Sequence, residues 1–230
     1  SSSQPGRVVA APHDGYDQYS GVIAKDVARR LNWGWVEATG YRSYPLRHWF
    51  DVNRPTERRY RAGGFAEGRV TTRGVEVFHE YRRKLRLAAR VSANARIPFL
   101  VEIHGHTREV QTGNGTLRIQ AIELATRGMT LAQLNRLKQR YDRLVREVPQ
   151  QYRVPLAIDR LNREYELDGW IVPFYFRATS AKNHGSLQTS EASFALHFEL
   201  PPRVRTSYGA RAAYGKLLGS LLNATYADVR

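Results

Sequence analysis

The sequence predicts an α/β fold: a single three-layer α/β/α domain around a mixed, largely parallel central sheet. Two observations carry that prediction. Short apolar runs rich in β-branched residues alternate with segments whose apolar residues recur every three or four positions. A helix-covered parallel sheet requires this alternation, because each crossover between parallel strands uses a helix. In addition, 230 residues with 42% apolar content suffice for one substantial core, and no low-complexity linker or internal repeat divides them. Residues 1–230 are therefore expected to form one domain, with 1–6 as a flexible tail.

The elements follow in order. "RVVAAP" (7–12) reads as a buried strand, "SGVIAKDVARRL" (20–31) as a helix, and "WGWVEATG" (33–40) as the next strand. A further strand is expected at "HWFDVN" (48–53), then a Gly- and Arg-rich loop through "RAGGFAEGR". A helix over about 74–93 aligns Phe78, Tyr81, Leu85 and Ala88 on one face. "IPFLVEIHG" is a second buried strand, with Pro98 near its start, where a missing N–H is tolerated. "TLRIQAIELA" reads as one strand ahead of a helix over 130–148 that Thr130 caps. A short helix is expected after Pro155, then a strand in "GWIVPFYFRATS", a strand in "SFALHFELPP" ended by its prolines, and a last helix in "YGARAAYGKLLGSLLNATY".

Composition narrows the chemistry. With no cysteine, thiolate metal sites, disulfides and cysteine nucleophiles are excluded, and a transition metal has to be held by His, Asp or Glu. No run approaches the roughly 18–20 apolar residues of a transmembrane helix. Nothing in the sequence chooses a compartment or an oligomeric state. The net charge of +15 attracts anions, so an acidic, carboxylate-bearing small molecule or peptide is the expected partner. The rival class is a non-catalytic basic module for nucleic acid or another polyanion. It is disfavoured by the absence of a helix-turn-helix, zinc-finger or aromatic RNA-binding motif.

Ligands of open α/β sheets gather beyond the carboxyl ends of strands. Three polar elements fall there: "PHDGYD", "EIHGH" and "HFELPP". His13, Asp17, His104 and Glu199 thus present the imidazoles and carboxylates that zinc-assisted hydrolysis needs. The alternative is a set of strand-end histidines that cap backbone groups.

With "DVNRP" (51–55) added, the order of motifs resembles the N-formylglutamate amidohydrolase family, which carries "PHxG", "R…D-[LV]-N-R-P" and a later "D-x-H-S"-like motif. More distantly it is similar to the zinc carboxypeptidases, whose fold class the chain is then expected to share and whose catalytic "F-E-L" matches "HFEL". "EIHGH" departs from the amidohydrolase motif in its Glu and Gly.

The resemblance implies one zinc ion per chain, held by His13, Asp17 and His104, with Asp14 the alternative acidic ligand and helix capping the other reading of Asp17. It makes Glu199 the proton acceptor and Arg47 the group that polarises the carbonyl, with Arg42 its rival. Asn53 and Arg54 would grip a substrate carboxylate, with structural pairing to Asp51 the other reading of Arg54, and Lys182, Asn183 and His184 would lie on a loop near the substrate, with ordinary loop polarity their other reading. The activity so implied is hydrolysis of an amide or peptide bond near a free carboxylate. His48, His79 and His197 are expected to be structural, although His197 shares a strand face with Glu199. His106 is a candidate contact around the metal or substrate.

Overall fold

Strand β1 (Arg7–Asp14) passes through helix α1 (Ser20–Leu31) into β2 (Gly34–Thr39). In this computed structural model residues 4–42, 48–61, 64–65, 68–113 and 115–230 are described. An excursion follows: β3 (His48–Asp51), β4 (Thr56–Arg61), β5 (Gly64–Phe65) and β6 (Arg69–Val70). These strands pair antiparallel, with β4 at the centre. The stretch expected to be loop therefore contributes β5 and the start of β6, because their backbone groups pair with β4.

Helix α2 (Thr72–Ala88) starts where the Thr71 hydroxyl accepts from the Gly74 amide at 3.0 Å. It ends sooner than its apolar periodicity suggested, since Arg90 takes a left-handed conformation with φ 54°. Strand β7 (Ile97–Gly105) comes next, then a hairpin of β8 (Glu109–Thr112) and β9 (Gly115–Arg118), and then β10 (Ile122–Arg127). The single strand expected over 116–125 is thus two strands in different sheets.

Helix α3 (Leu131–Leu144) begins with a reciprocal capping box between Thr130 and Gln133. The short helix expected after Pro155 is instead strand β11 (Leu156–Ile158), which pairs parallel with β10. The chain continues through the hairpin β12 (Glu164–Leu167) and β13 (Trp170–Pro173), helix α4 (Thr179–His184), strand β14 (Ala192–Leu200), the single turn α5 (Pro202–Arg205) and helix α6 (Tyr208–Val229). Strand character in 169–180 stops at Pro173. Helix α4 occupies part of the expected substrate loop.

The central sheet has six strands in the order β11-β10-β14-β7-β1-β2. Strands β14, β7, β1 and β2 are mutually parallel, and the one antiparallel step lies between β10 and β14. The sheet is therefore mixed and largely parallel, as the sequence suggests. Period-two alternation sorts the strands onto two faces. Val9, Ala11, Phe99, Val101, Ile103, Leu196 and Phe198 join the core under α1, α3 and α6, while Val8, Ala10, Leu100 and Ala195 pack with Tyr81 and Leu85 of α2. Residues 4–6 are tied down rather than free, since Gln4 and Gly6 donate backbone bonds to Asn32 and Ala89. Among the described residues no helix is long and apolar enough to cross a membrane.

Candidate metal centre

The face of the sheet toward α2 turns polar at the carboxyl ends of its central strands. On β7 the positions that alternate with Leu100 carry Glu102 and His104, and on β14 those that alternate with Ala195 carry His197 and Glu199. Parallel pairing sets His197 beside Glu102 and Glu199 beside His104. All four are buried.

Strand β1 delivers His13 to the same place. After it the chain reverses through Gly15, whose φ of +88° suits glycine, and the amides of Tyr16 and Asp17 donate to the His13 carbonyl at 3.1 and 2.9 Å. This turn brings the Asp17 carboxylate back over His13. Asp14 serves elsewhere: its Oδ1 accepts from the Gly21 amide at 2.8 Å, in the first turn of α1.

Three donor atoms converge. His13 Nδ1 and His104 Nδ1 are 3.1 Å apart, and Asp17 Oδ2 lies 3.6 Å from the first and 3.3 Å from the second. Ligands about 2.0–2.1 Å from a tetrahedral ion are separated by about 3.3–3.4 Å, so this triangle has the dimensions of three zinc ligands. The outer nitrogens fit as well. His104 Nε2 is 3.5 Å from Glu102 Oε2, and His13 Nε2 is 3.9 Å from Asp51 Oδ1. Both of the latter two atoms are buried without a hydrogen-bond partner, although Arg42 Nη1 stands 3.4 Å from Asp51 Oδ1. The Glu102 carboxylate behind His104 favours the tautomer whose Nδ1 can ligate, whereas Asp51 stands beyond hydrogen-bond reach of His13 and acts on it through charge alone.

Glu102 is the hub behind the centre. Its Oε1 accepts from Tyr81 Oη at 3.0 Å and Ser186 Oγ at 2.7 Å, and its Oε2 accepts from Asn53 Nδ2 at 3.1 Å. Burial alone would raise its pKa, but the bonds from His104 and His197 hold it well below the usual carboxylate range. Burial likewise opposes the charge on His104, yet hydrogen bonds to Asp17 and Glu102 lift it to about 10. His13 goes the other way, to about 4, because it is buried and faces the Arg42 guanidinium. Burial works against an ionised Glu199 too, and His197 and His104 keep it below its ordinary value.

A cavity of about 980 Å³ opens over these groups, lined by His13, Asp17, His104, Glu199 and several arginines. Arg42 Nη1 lies 2.9 Å from His13 Nδ1, and its guanidinium stacks 4.4 Å from the Tyr16 ring. Arg54 and Arg58 donate to Asp51 Oδ2 at 2.9 and 3.3 Å. Burial would raise the pKa of Asp51, but Arg54, His13, Arg42 and Arg58 hold it at about 2.

The other residues singled out in the sequence have definite places. Asn53 and Arg54 line the cavity, although the Asn53 amide is engaged by Glu102. His106 also lines it, and its Nε2 donates to the Ala121 carbonyl at 3.0 Å. Lys182 is paired with Asp159, and Lys182, Asn183 and His184 lie on α4 without joining the described lining. Arg47 and the side chain of His48 fall outside the described residues, whereas Arg42 is at the centre.

No family model matches the chain, and no curated protein matches it. Three solved structures do. The zinc-free form of YndL aligns over 98% of this chain and 89% of its own, at 11% identity and TM-score 0.46. A candidate metallopeptidase from Shewanella amazonensis aligns over 97% and 78%, at 12% identity and TM-score 0.45. A gene product of Agrobacterium tumefaciens aligns over 97% and 89%, at 12% identity and TM-score 0.47. Likenesses this distant assign neither activity nor metal.

Glu102 and Asp51 were not singled out in the sequence as neighbours of the two histidines, whereas His197, expected to share a face with Glu199, does so and lines the cavity. The available signal was spacing: Glu102 and His104, like His197 and Glu199, stand two apart on strands and so share a face.

Proposed function

We propose that the protein is a zinc-dependent hydrolase of an amide or peptide bond near a free carboxylate. The observation that carries this reading is the triangle of donor atoms from His13, Asp17 and His104, with a buried carboxylate behind each imidazole. Such a donor set, two nitrogens and one carboxylate oxygen at the floor of an open cavity, suits zinc that keeps a position free for water. Bound there, zinc supplies a Lewis acid that brings the pKa of water down to about 7.

The chain's own residues do the rest. Glu199, ionised and facing the cavity beside His104, accepts the proton of the attacking water and passes it to the departing amine. Arg42 is placed to stabilise negative charge that develops on the carbonyl oxygen. Arg54 offers a guanidinium fork to a substrate carboxylate, the geometry for which arginine is suited. Arg47 remains a candidate for the same carbonyl.

The test is metal analysis combined with turnover. Chelator-stripped protein given zinc is expected to bind one equivalent and to hydrolyse at least one of N-formyl-glutamate and α- or γ-linked glutamyl-glutamate. His13→Ala and His104→Ala should lose the metal, and Glu199→Gln should keep it and lose turnover. Full zinc occupancy in both histidine variants would remove the proposed site. Wild-type turnover by Glu199→Gln would remove the proposed base.

A further inference from the structure

His197 is one of the polar groups on this face to which the hydrolytic reading assigns no task. It sits between two carboxylates: Nε2 is 3.0 Å from Glu199 Oε1, and Nδ1 is 3.3 Å from Glu102 Oε2. Its ring also stacks on His104, with centroids 3.9 Å apart and planes at 24°. Glu102 in turn is anchored by Tyr81, Ser186 and Asn53, which come from α2, the segment after α4 and the segment after β3. The oxygens of a glutamate depend on three side-chain torsions, and among the described residues the side-chain hydrogen bond that constrains them in Glu199 is the one to His197. The imidazole supplies that constraint and transmits it to the most heavily bonded side chain of the site.

We propose that His197 is the positioning residue of Glu199, bridging it to Glu102 so that the proton acceptor is held at a fixed distance and orientation from the His13–Asp17–His104 centre. The inference rests on the hydrolase reading for its catalytic consequence, but the bridge itself is a property of the folded chain. Each ring nitrogen of His197 thus faces one carboxylate oxygen. The ring is polar at each end and buried, and it occupies a β14 position between Ala195 and Glu199 where an apolar residue would fit the alternation of the strand. A group held within hydrogen-bond reach in this way prepays orientation, and a displacement of about 1 Å costs on the order of 10²-fold in rate.

Three substitutions separate positioning from packing. Asparagine reproduces a donor near Nδ1 and keeps the link to Glu102 alone, glutamine reproduces a donor near Nε2 and keeps the link to Glu199 alone, and leucine keeps neither. With glutamyl-glutamate as the probe, His197→Leu and His197→Asn should lose about 10²-fold in kcat, with KM within about twofold and zinc still at one equivalent. His197→Gln should recover most of the loss. Unchanged kcat in His197→Leu, or His197→Gln falling as far as His197→Asn, would overturn the proposal. If the leucine variant does not fold, the two amide variants decide.

A second readout needs no substrate. In ¹⁵N-histidine-labelled zinc protein, Glu199→Gln should shift the His197 Nε2 resonance far more than the Nδ1 resonance. Indifference of the Nε2 resonance to Glu199→Gln overturns the bridge. If the wild-type protein turns over none of the amide probes, the hydrolase reading fails, and these resonances still decide whether His197 holds Glu199.

Discussion

At the scale of single residues, the two candidate metal histidines are driven apart in acidity by what surrounds them. His104 is lifted to about 10 by Asp17 and Glu102 against its burial, and His13 falls to about 4 through burial and Arg42. Without metal at neutral pH, His104 therefore carries the proton between the facing Nδ1 atoms, and zinc has to displace it. Calorimetric titration in buffers of different ionisation enthalpy should show release of about one proton per zinc at pH 7; no buffer dependence would contradict the assigned state. A folded pKa raised above the ordinary 6.5 contributes stability that is full below pH 6.5 and lost as pH rises through about 10. Metal-free protein should accordingly melt at lower temperature at pH 9.5 than at pH 7. Glu102 carries a different burden. Replacing it by alanine strands the buried donors of Tyr81, Ser186 and Asn53 beside two imidazoles, and should cost about 3–5 kcal/mol in a urea titration. His13, Asp17, His104 and Glu199 stood out in the sequence because they occupy short motifs at strand ends. Glu102 did not, because it lies inside an apolar run and its partners come from remote segments.

Elements were legible in proportion to how much they bury. The long strands β1, β7 and β14 stand out as apolar runs buried on both faces, and helices α1, α2 and α3 show a period of about 3.6, since each lays one face on a core. The strands β8, β9, β12 and β13 have four residues each, of weak alternation, and pack chiefly with each other around Ile119, Ala121, Leu167 and Val172, so hydrophobic period said little about them. Strand β11 has three buried residues, and a run so short is compatible with either helix or strand until β10 pairs with it. One junction has a measurable consequence. In β2, Glu37 is pushed up to about 7 by its hydrogen bond with Asp14, by partial burial and by the Asp14 charge. A carboxyl raised from its ordinary 4.5 contributes stability that is complete below about pH 4.5 and disappears as pH rises through 7. Thermal melts of Glu37→Gln should thus exceed wild type at pH 8 and lose that advantage at pH 5. A variant equal to wild type at both values would show that Asp14 repels nothing there, leaving it only its bond to the Gly21 amide.

Across the whole molecule, the fold class was readable from alternation and length, but the strand order was not. Strand β14 is the last of the sheet in the chain and yet inserts between β7 and β10, and that insertion is what sets Glu199 beside His104 and His197 beside Glu102. Local sequence contains no record of such register, because it is decided by how two remote strands match their buried faces. The charge of the chain acts at the same scale. A net +15 surrounds a cavity into which Arg42, Arg54, Arg58, Arg108 and Arg177 all open. Asp51 and Glu123 answer part of that charge from below. The excess focuses potential at the mouth and should draw in an anionic substrate before any specific contact forms. Screening shortens that reach, since the Debye length falls from about 10 Å at 0.1 M salt to about 3 Å at 1 M. For glutamyl-glutamate, kcat/KM should therefore fall several-fold as salt rises from 0.05 to 0.5 M while kcat stays level, because salt weakens approach rather than the screened interior. The same peptide with its side-chain carboxyl groups amidated should show a much flatter dependence. An equal response from the charged and amidated peptides would mean that the basic surface does not guide substrate, and that its arginines serve the fold through their carboxylate partners.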